Sequence, residues 1–577
     1  MSDDDIGSGA DGVEQGKRLI RTGGERGLSL AERISERFQR LAWRTPLHNM
    51  RLKGRHPLKL IAVGEDPFFG DVERGNALLD GYVLFRGEQR SITGLDFARP
   101  DWSAAMGDYL HGFGWLRDLS SVTTRVTAAP IAEGLMQRWL AVHGDKVSEP
   151  AWRADLVGRR ILAWTAHAPL ILSANDLVYR SSVLHALAKG ARHLDRAADR
   201  VLLGTPRIAA WCGVLVAGLM IPGGDPRRSF GETGLRRALE QSMFDDGGTV
   251  GRSPWGQLEA IQLLTILSSA YEARRLEPPA LVSSALNRMV TALLGVCHGD
   301  KGLGSWQGSA PVPGALIEQA VEATGVRTRP LKQAREWGYQ RLNAGSTVLI
   351  IDAAPPPLAR LAAGGCASTL AFELSDGANR IVVNCGGSAM ASQSLPSALT
   401  EGLRTTAAHS TLTLADSNST AIHPDGSLGR GVVEVELART ESENGSRIEA
   451  SHDGYVRRLG FTHRRLIALG GDGRDVRGED MLLPADKRKR KASTPFAIRF
   501  HLAPQVEISP TADGQAAILR LPSGQLWQFR CKGGALGFED SIWIDGAGKP
   551  VATKQLVITG ESLAGGANVS WLFHRAK

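Results

Sequence analysis

The sequence predicts a multi-domain α+β protein, a helical N-terminal half followed by an antiparallel β half. Three observations carry this. The chain has 577 residues, more than a single core accommodates. Up to about residue 323, apolar residues recur three and four apart, the helical period. From about Gly338 the spacing becomes two, in short β-branched runs separated by turn formers.

In the first half, residues 131–143 (IAEGLMQRWLAVH), 181–203, 207–221 and 255–274 read as helices, punctuated by Pro222-Gly223-Gly224 and Glu277-Pro278-Pro279. Successive helices with short loops predict antiparallel pairs, as in an α/α bundle or toroid. Residues 58–85 follow no single period, and short strands fit there. In the second half, strands are expected at 346–351, 368–374, 380–384, 410–414, 432–437, 496–502, 517–521 and 555–559. Many strands with few helices predict an antiparallel β-sandwich. The expected organisation is a disordered acidic tail at 1–27, a helical domain at 28–330 and a β domain at 338–577, joined through the polar stretch around Pro330.

Hydrophobic residues make up 42% and charged residues 22% of the chain, an ordinary globular balance. The net charge of +8 suits a polyanion (nucleic acid, anionic lipid or acidic polysaccharide), or is ordinary surface charge. The densest basic run, KRKRK at 487–491, reads as a solvated loop or as a contact for sulfates or uronates. The five cysteines, Cys212, Cys297, Cys366, Cys385 and Cys531, are odd in number and form no CxxC, which excludes a disulfide framework and a Cys-based zinc site. Asp3, Asp4 and Asp5 stand where a signal peptide would be basic, and no apolar stretch follows. The most apolar segment, 208–222, falls short of the roughly 20 residues a membrane span needs. The sequence therefore predicts a cytoplasmic protein with no transmembrane segment. There is no P-loop, no dinucleotide-binding glycine motif and no nucleic-acid-binding motif.

Several segments, taken in order, resemble one family. FDDGGTVGRSP at 244–254 is close to a DGGH-x-x-R-[SN]-P pattern and is preceded by Ala217-Gly218-Leu219. HGFGWLRDL at 111–119 resembles an N-terminal helical segment of that family. FELSDGANRIVVNCG at 372–386, RTTAAHSTLTL at 404–414 and SHDGYVRRLGFTHRR at 451–465 resemble its C-terminal β region. The chain thus resembles the heparinase II/III-like polysaccharide lyases from about residue 70 onward. The resemblance implies an incomplete α/α toroid followed by a two-sheet antiparallel domain. It also implies β-elimination on a uronate-containing polysaccharide, and makes the periplasm or cell envelope the alternative location.

Elimination removes the proton at C5 and protonates the leaving oxygen at C4. It also needs a group to neutralise the carboxylate, where charge builds. His409, in AAHSTL, stands at a family position for a site histidine and is the candidate base or acid; otherwise it is a strand-edge residue. Arg252 could face a uronate carboxylate in a two-pronged bond, or form a structural ion pair. Asp245 and Asp246 read as turn caps before Gly247-Gly248. Tyr455 is the candidate second proton-transfer group. Trp255, Arg404 and Trp306 are candidate substrate-binding residues, with Trp115 and Trp164 as further stacking platforms or core residues. The resemblance implies a structural metal in the β domain, zinc or calcium, for which His409, Asp416 and His463 are the candidate ligands.

The departures are specific. Lyases of this family carry a Tyr after the Arg-Ser-Pro segment, where this chain has Trp255, Gly256 and Gln257. Thr205-Pro206 stands where an Asn-His or similar pair is expected, and Thr249 replaces the His of DGGH. Two functions are therefore expected from the sequence. One is a lyase of acidic polysaccharide. The other is a catalytically degenerate glycan-binding or envelope polysaccharide-processing protein on the same fold.

Overall fold

A computed structural model describes residues 13–21, 50–358, 361, 364–485 and 493–576. The basic run at 487–491 and most of the expected tail lie outside these residues. The helical period is realised in Arg125–His143, Ala154–Ala166, Leu177–Ala197, Thr205–Met220, Asp225–Ser242, Pro254–Ala273 and Ala280–Gly295. Thr205–Met220 is the central one: it packs against Ala154–Ala166, Asp225–Ser242 and Pro254–Ala273, and is buried nearly throughout. That burial explains its uniformly apolar sequence. Glycines set the spacing, since a Cβ at Gly158 would lie 2.2 Å from the carbonyl oxygen of Ala209. No helix among the described residues is long and apolar enough to cross a membrane.

Among the described residues the β half holds two large antiparallel sheets and a small two-stranded one, Thr420–Ile422 with Leu428–Gly431. The first has nine strands, in the order Gly16–Arg21, Glu434–Ser442, Gly445–His452, Phe461–Gly470, Asp475–Pro484, Ala567–Arg575, Leu526–Lys532, Ala516–Arg520 and Glu507–Pro510. The second runs Ala535–Ile544, Pro550–Ser562, Thr494–Leu502, Asn379–Val383, Phe372–Asp376, Thr347–Asp352, Tyr339–Ala344, with Leu412–Leu414 also pairing with Thr494–Leu502. The observed architecture is a helix-rich N-terminal region followed by a two-sheet antiparallel domain, as the change of period predicts.

The edge of the first sheet corrects one expectation. A tail disordered to residue 27 is ruled out for residues 16–21, which pair with Glu434–Arg439. Val13 is buried and Ile20 joins the sandwich core. The acidic, glycine-rich start of the chain masked a six-residue strand, GKRLIR, whose partner lies more than 400 residues away.

Thr347–Asp352 is buried at every position, because both its faces are covered. Val348 and Ile350 belong to the helical core, whereas Leu349 and Ile351 belong to the sandwich core. Alternation along a strand sends neighbours to opposite faces, so burial on both sides reads as a continuous apolar run. The molecule is layered: helices, then the second sheet, then the first.

Asp352 ends this strand fully buried. Its Oδ1 accepts from Arg252 Nη2 at 2.5 Å, and its Oδ2 accepts from Gln307 Nε2 at 3.0 Å and Ser368 Oγ at 2.8 Å. Arg252 also donates from Nε to the Trp337 carbonyl (2.7 Å) and from Nη1 to that of Pro355 (2.7 Å), beside the Tyr339 ring. Arg252 therefore joins the helical region to the second sheet. Removing one partner leaves the other charge buried and alone, at a cost of about 3–5 kcal/mol. Arg252→Ala and Asp352→Ala should each lower the denaturation midpoint strongly, and the double variant should cost less than the sum of the two. Additive losses in chemical denaturation would contradict the coupling.

Candidate functional site

The FDDGGTVGRSP segment builds the joint between the two halves. Asp246 accepts at Oδ1 from Gly248 N (3.0 Å) and at Oδ2 from Glu336 N and Trp337 N (both 2.8 Å). Gly248 lies against Trp337, where a Cβ would fall 2.0 Å from the indole. Thr249 N donates to Gln257 Oε1 at 2.8 Å. Arg252 adopts the left-handed region (φ 55°), which turns its side chain into the seam. Ser253 then caps Pro254–Ala273, accepting from Gly256 N at 3.3 Å, with proline at the first helical position.

This placement corrects Arg252 as a carboxylate ligand. All its contacts are spent within the protein, because the motif bends its backbone inward. Arg404 is corrected likewise: Nε and Nη2 donate to the Gly365 carbonyl (2.9 and 2.8 Å) and Nη1 to that of Gly426 (2.5 Å). Trp306 is wholly buried beside Tyr339, and Trp115 and Trp164 are core residues. Trp255 is half-buried at the start of its helix, with its backbone N–H on Ser309 Oγ at 3.0 Å.

Tyr455 is buried inside the sandwich. Its hydroxyl donates to the Leu412 carbonyl at 2.8 Å, and burial pushes its pKa up. It is a packing residue, and the tyrosine chemistry expected of it is corrected on that ground.

His409 is buried at the end of a short 3-10 turn, Thr406–Ala408. Nδ1 lies 2.7 Å from the Thr405 carbonyl, so it carries the proton and leaves Nε2 as the acceptor. Burial lowers the pKa and keeps the ring neutral, opposed by the Thr405 carbonyl and by Asp352 and Glu373. Its neighbours are fixed from three sides. His501 Nε2 lies 2.9 Å from the Ala407 carbonyl. Ser410 N donates to Asn384 Oδ1 at 3.0 Å. Arg465 Nη1 donates to the Ser410 carbonyl at 2.9 Å. Asn384 in turn bonds Glu373 (3.0 Å), which accepts from Ser305 N (3.0 Å) and pairs with His298 Nε2 (3.0 Å). A second buried polar chain thus runs from the helical region to the His409 segment.

The metal expectation is corrected. His463 is engaged at both nitrogens, by His452 at 3.2 Å and Asp480 at 2.7 Å. Asp480 also takes two bonds from Arg465, and it lies on the first sheet, whereas Asp416 is exposed on a turn. Among the described residues no three or more of His, Cys, Asp and Glu are grouped to hold a metal ion.

On the helical side, Thr205 Oγ1 donates to the Gly256 carbonyl at 2.7 Å. These two positions, in segments where the resemblance expects Asn and Tyr, therefore touch each other and carry no titratable group. Sequence reasoning missed Asp352, Gln307, Glu373 and Asn384. The signal for Asp352 was a carboxylate closing the run TVLIID, where only a paired charge is stable. A depression of about 580 Å³ lies at the other strand ends of the first sheet, around Asn444, Arg447 and Asp472, away from His452 and His463.

The helical region followed by the two-sheet domain has the fold of heparinase III, an α/α toroid plus a β-sandwich. The structure overlays a crystal structure of heparinase III with a TM-score of 0.66 at 14% identity, covering 96% of this chain and 93% of that one. It overlays the heparan sulfate lyase HepC mutant from Pedobacter heparinus with a TM-score of 0.61 at 15% identity, covering 88% and 82%. Residues 326–572 match the family "Heparinase II/III-like, C-terminal". FtsZ-localized protein C of Caulobacter vibrioides is 29% identical over 509 residues, 84% of each chain.

The buried histidines set the pH response. Burial pushes His111 down to about 3, His143 to about 4 and His501 to about 3. Unfolded, each returns to about 6.5, so the unfolded chain binds more protons below that pH. Stability should be level above pH 7 and fall as pH drops through about 6.5, each such histidine adding up to about 1.4 kcal/mol per pH unit. His501→Gln should reduce the slope between pH 6.5 and 5 in chemical denaturation; an unchanged slope would contradict this assignment.

Proposed function

We propose that this protein binds an acidic, uronate-containing polysaccharide between its helical and β domains without eliminating it. The observation that carries this is the Thr205–Gly256 contact: the helical wall offers a hydroxyl bonded to a backbone carbonyl in place of an acid or base. Arg252, the expected carboxylate neutraliser, is locked to Asp352, and Tyr455 is enclosed in the sandwich. Elimination would have to proceed without the groups that stabilise its charge. The positive net charge and the half-buried Trp255 support sugar binding, because a pyranose C–H face packs on an indole. The likeness to FtsZ-localized protein C extends the reading to place: this protein acts where FtsZ assembles.

One observation favours a second reading, a lyase resting on His409 alone. Nδ1 is fixed on the Thr405 carbonyl, which makes Nε2 a neutral base.

A panel of uronate polymers separates the two. Wild-type protein should give no rise in absorbance from unsaturated product, yet bind at least one polymer by calorimetry. Trp255→Ala should weaken that binding about tenfold. If unsaturated product accumulates, the binding-only reading fails. His409→Ala should then cut turnover about 10²–10⁴-fold.

A further inference from the structure

The hairpin of Tyr82–Phe85 and Glu88–Ser91 has no part in the site so far. It is anchored firmly to the helical side. Phe85 stacks on Tyr109 with ring centres 4.5 Å apart, Val83 is fully buried, and Glu88 accepts from Ser103 N at 3.2 Å. Its two-residue turn, Arg86-Gly87, has φ values of 47° and 73°, which fits a tight hairpin but strains a non-glycine first residue. The tip does not end in solvent. It reaches the β-domain loop at 387–396: Gln393 N donates to the Arg86 carbonyl at 3.1 Å, and Arg86 Nη1 donates to the Ala389 carbonyl. Gly87 sits so close to Ser392 that a Cβ there would lie 2.3 Å from its Oγ.

The landing loop is itself fixed next to the candidate site. Ala389 N donates to the Gly308 carbonyl (3.2 Å), and Ser392 N to that of Gly548 (2.8 Å). Ala391 packs with Leu403 and Ala408, beside His409. Ser309, next to Gly308, holds the backbone of Trp255. The domains are thus connected near this site through the buried Arg252–Asp352 and His298–Glu373 pairs, and again at the hairpin.

We infer that the 82–91 hairpin is a bar across the space between the domains, so that an acidic glycan enters by a free chain end and not from the side. This rests on the glycan-binding reading. A linear polymer reaching the site must thread past the hairpin, and a chain with obstructed ends has no route in.

The test uses the full chain and a linear polyuronate oligosaccharide, either free at both ends or carrying streptavidin at both ends. Wild type should bind the free oligosaccharide and lose at least about tenfold affinity for the blocked one. Two variants release the bar in different ways. Arg86→Gly removes the guanidinium tether while suiting the positive φ, and Gly87→Val pushes the tip off Ser392. Thermal unfolding identifies a variant that has lost its fold, and either folded variant alone suffices. A released variant should bind free and blocked oligosaccharide alike. Equal binding of both ligands by wild type overturns the inference and leaves the glycan-binding reading intact. Continued exclusion of the blocked ligand by a folded, released variant overturns it also. If wild type binds neither ligand, nor any polymer in the uronate panel, the glycan-binding reading falls and takes this inference with it.

Discussion

The joint between the two halves depends on the Thr347–Asp352 strand of the second sheet being buried on both faces. A sheet with helices on one side and another sheet on the other has no solvent to receive its polar groups. The end of Thr347–Asp352 is where that constraint tightens, because a carboxylate lies between two cores. Arg252, Gln307 and Ser368 satisfy it from three segments of the chain. The FDDGGTVGRSP motif follows from this requirement. Its glycines admit Trp337 and the Arg288 backbone, Asp246 fixes the Trp337 amide, and the left-handed Arg252 delivers the cation. A motif that looks functional in sequence is here a solution to desolvation.

The same logic accounts for how the candidate site differs from an eliminating one. Groups that transfer protons to a sugar must face a shared space, and a group spent inside the protein cannot. Arg404 is held by two carbonyl oxygens, from Gly365 and Gly426. His409 retains one uncommitted nitrogen, held in place by neighbours that His501, Asn384 and Arg465 fix. Rigidity around a lone neutral imidazole suits recognition of shape at least as well as catalysis.

The architecture was legible because period reports burial directly. The helices at 131–143, 207–221 and 255–274 and the strand at 496–502 appear within a few residues of where their spacing puts them. Gly16–Arg21 was not legible, since a charged edge strand carries little apolar signal and its partner is remote in sequence. Individual side chains were harder to place. The sequence shows that Arg252, Tyr455 and Trp306 are chemically capable, but not which way they point. Burial reverses the meaning of each: the cation becomes an ion pair, the phenol a packing group and the indole a wall of the core. His463 shows the same effect, since its partners His452 and Asp480 are positioned only by strand register.

The strand at Gly16–Arg21 has one more consequence. It covers the outer edge of the first sheet, pairing along Glu434–Arg439, and Glu14 extends the hold through Arg335 at 2.7 Å. A protease cutting just after Arg21 would let this strand dissociate, leaving Glu434–Ser442 with an open row of amide and carbonyl groups. Such a row is a template for another chain. The trimmed protein would then associate edge to edge with its own copies, so Gly16–Arg21 acts as a guard against polymerisation of the β domain.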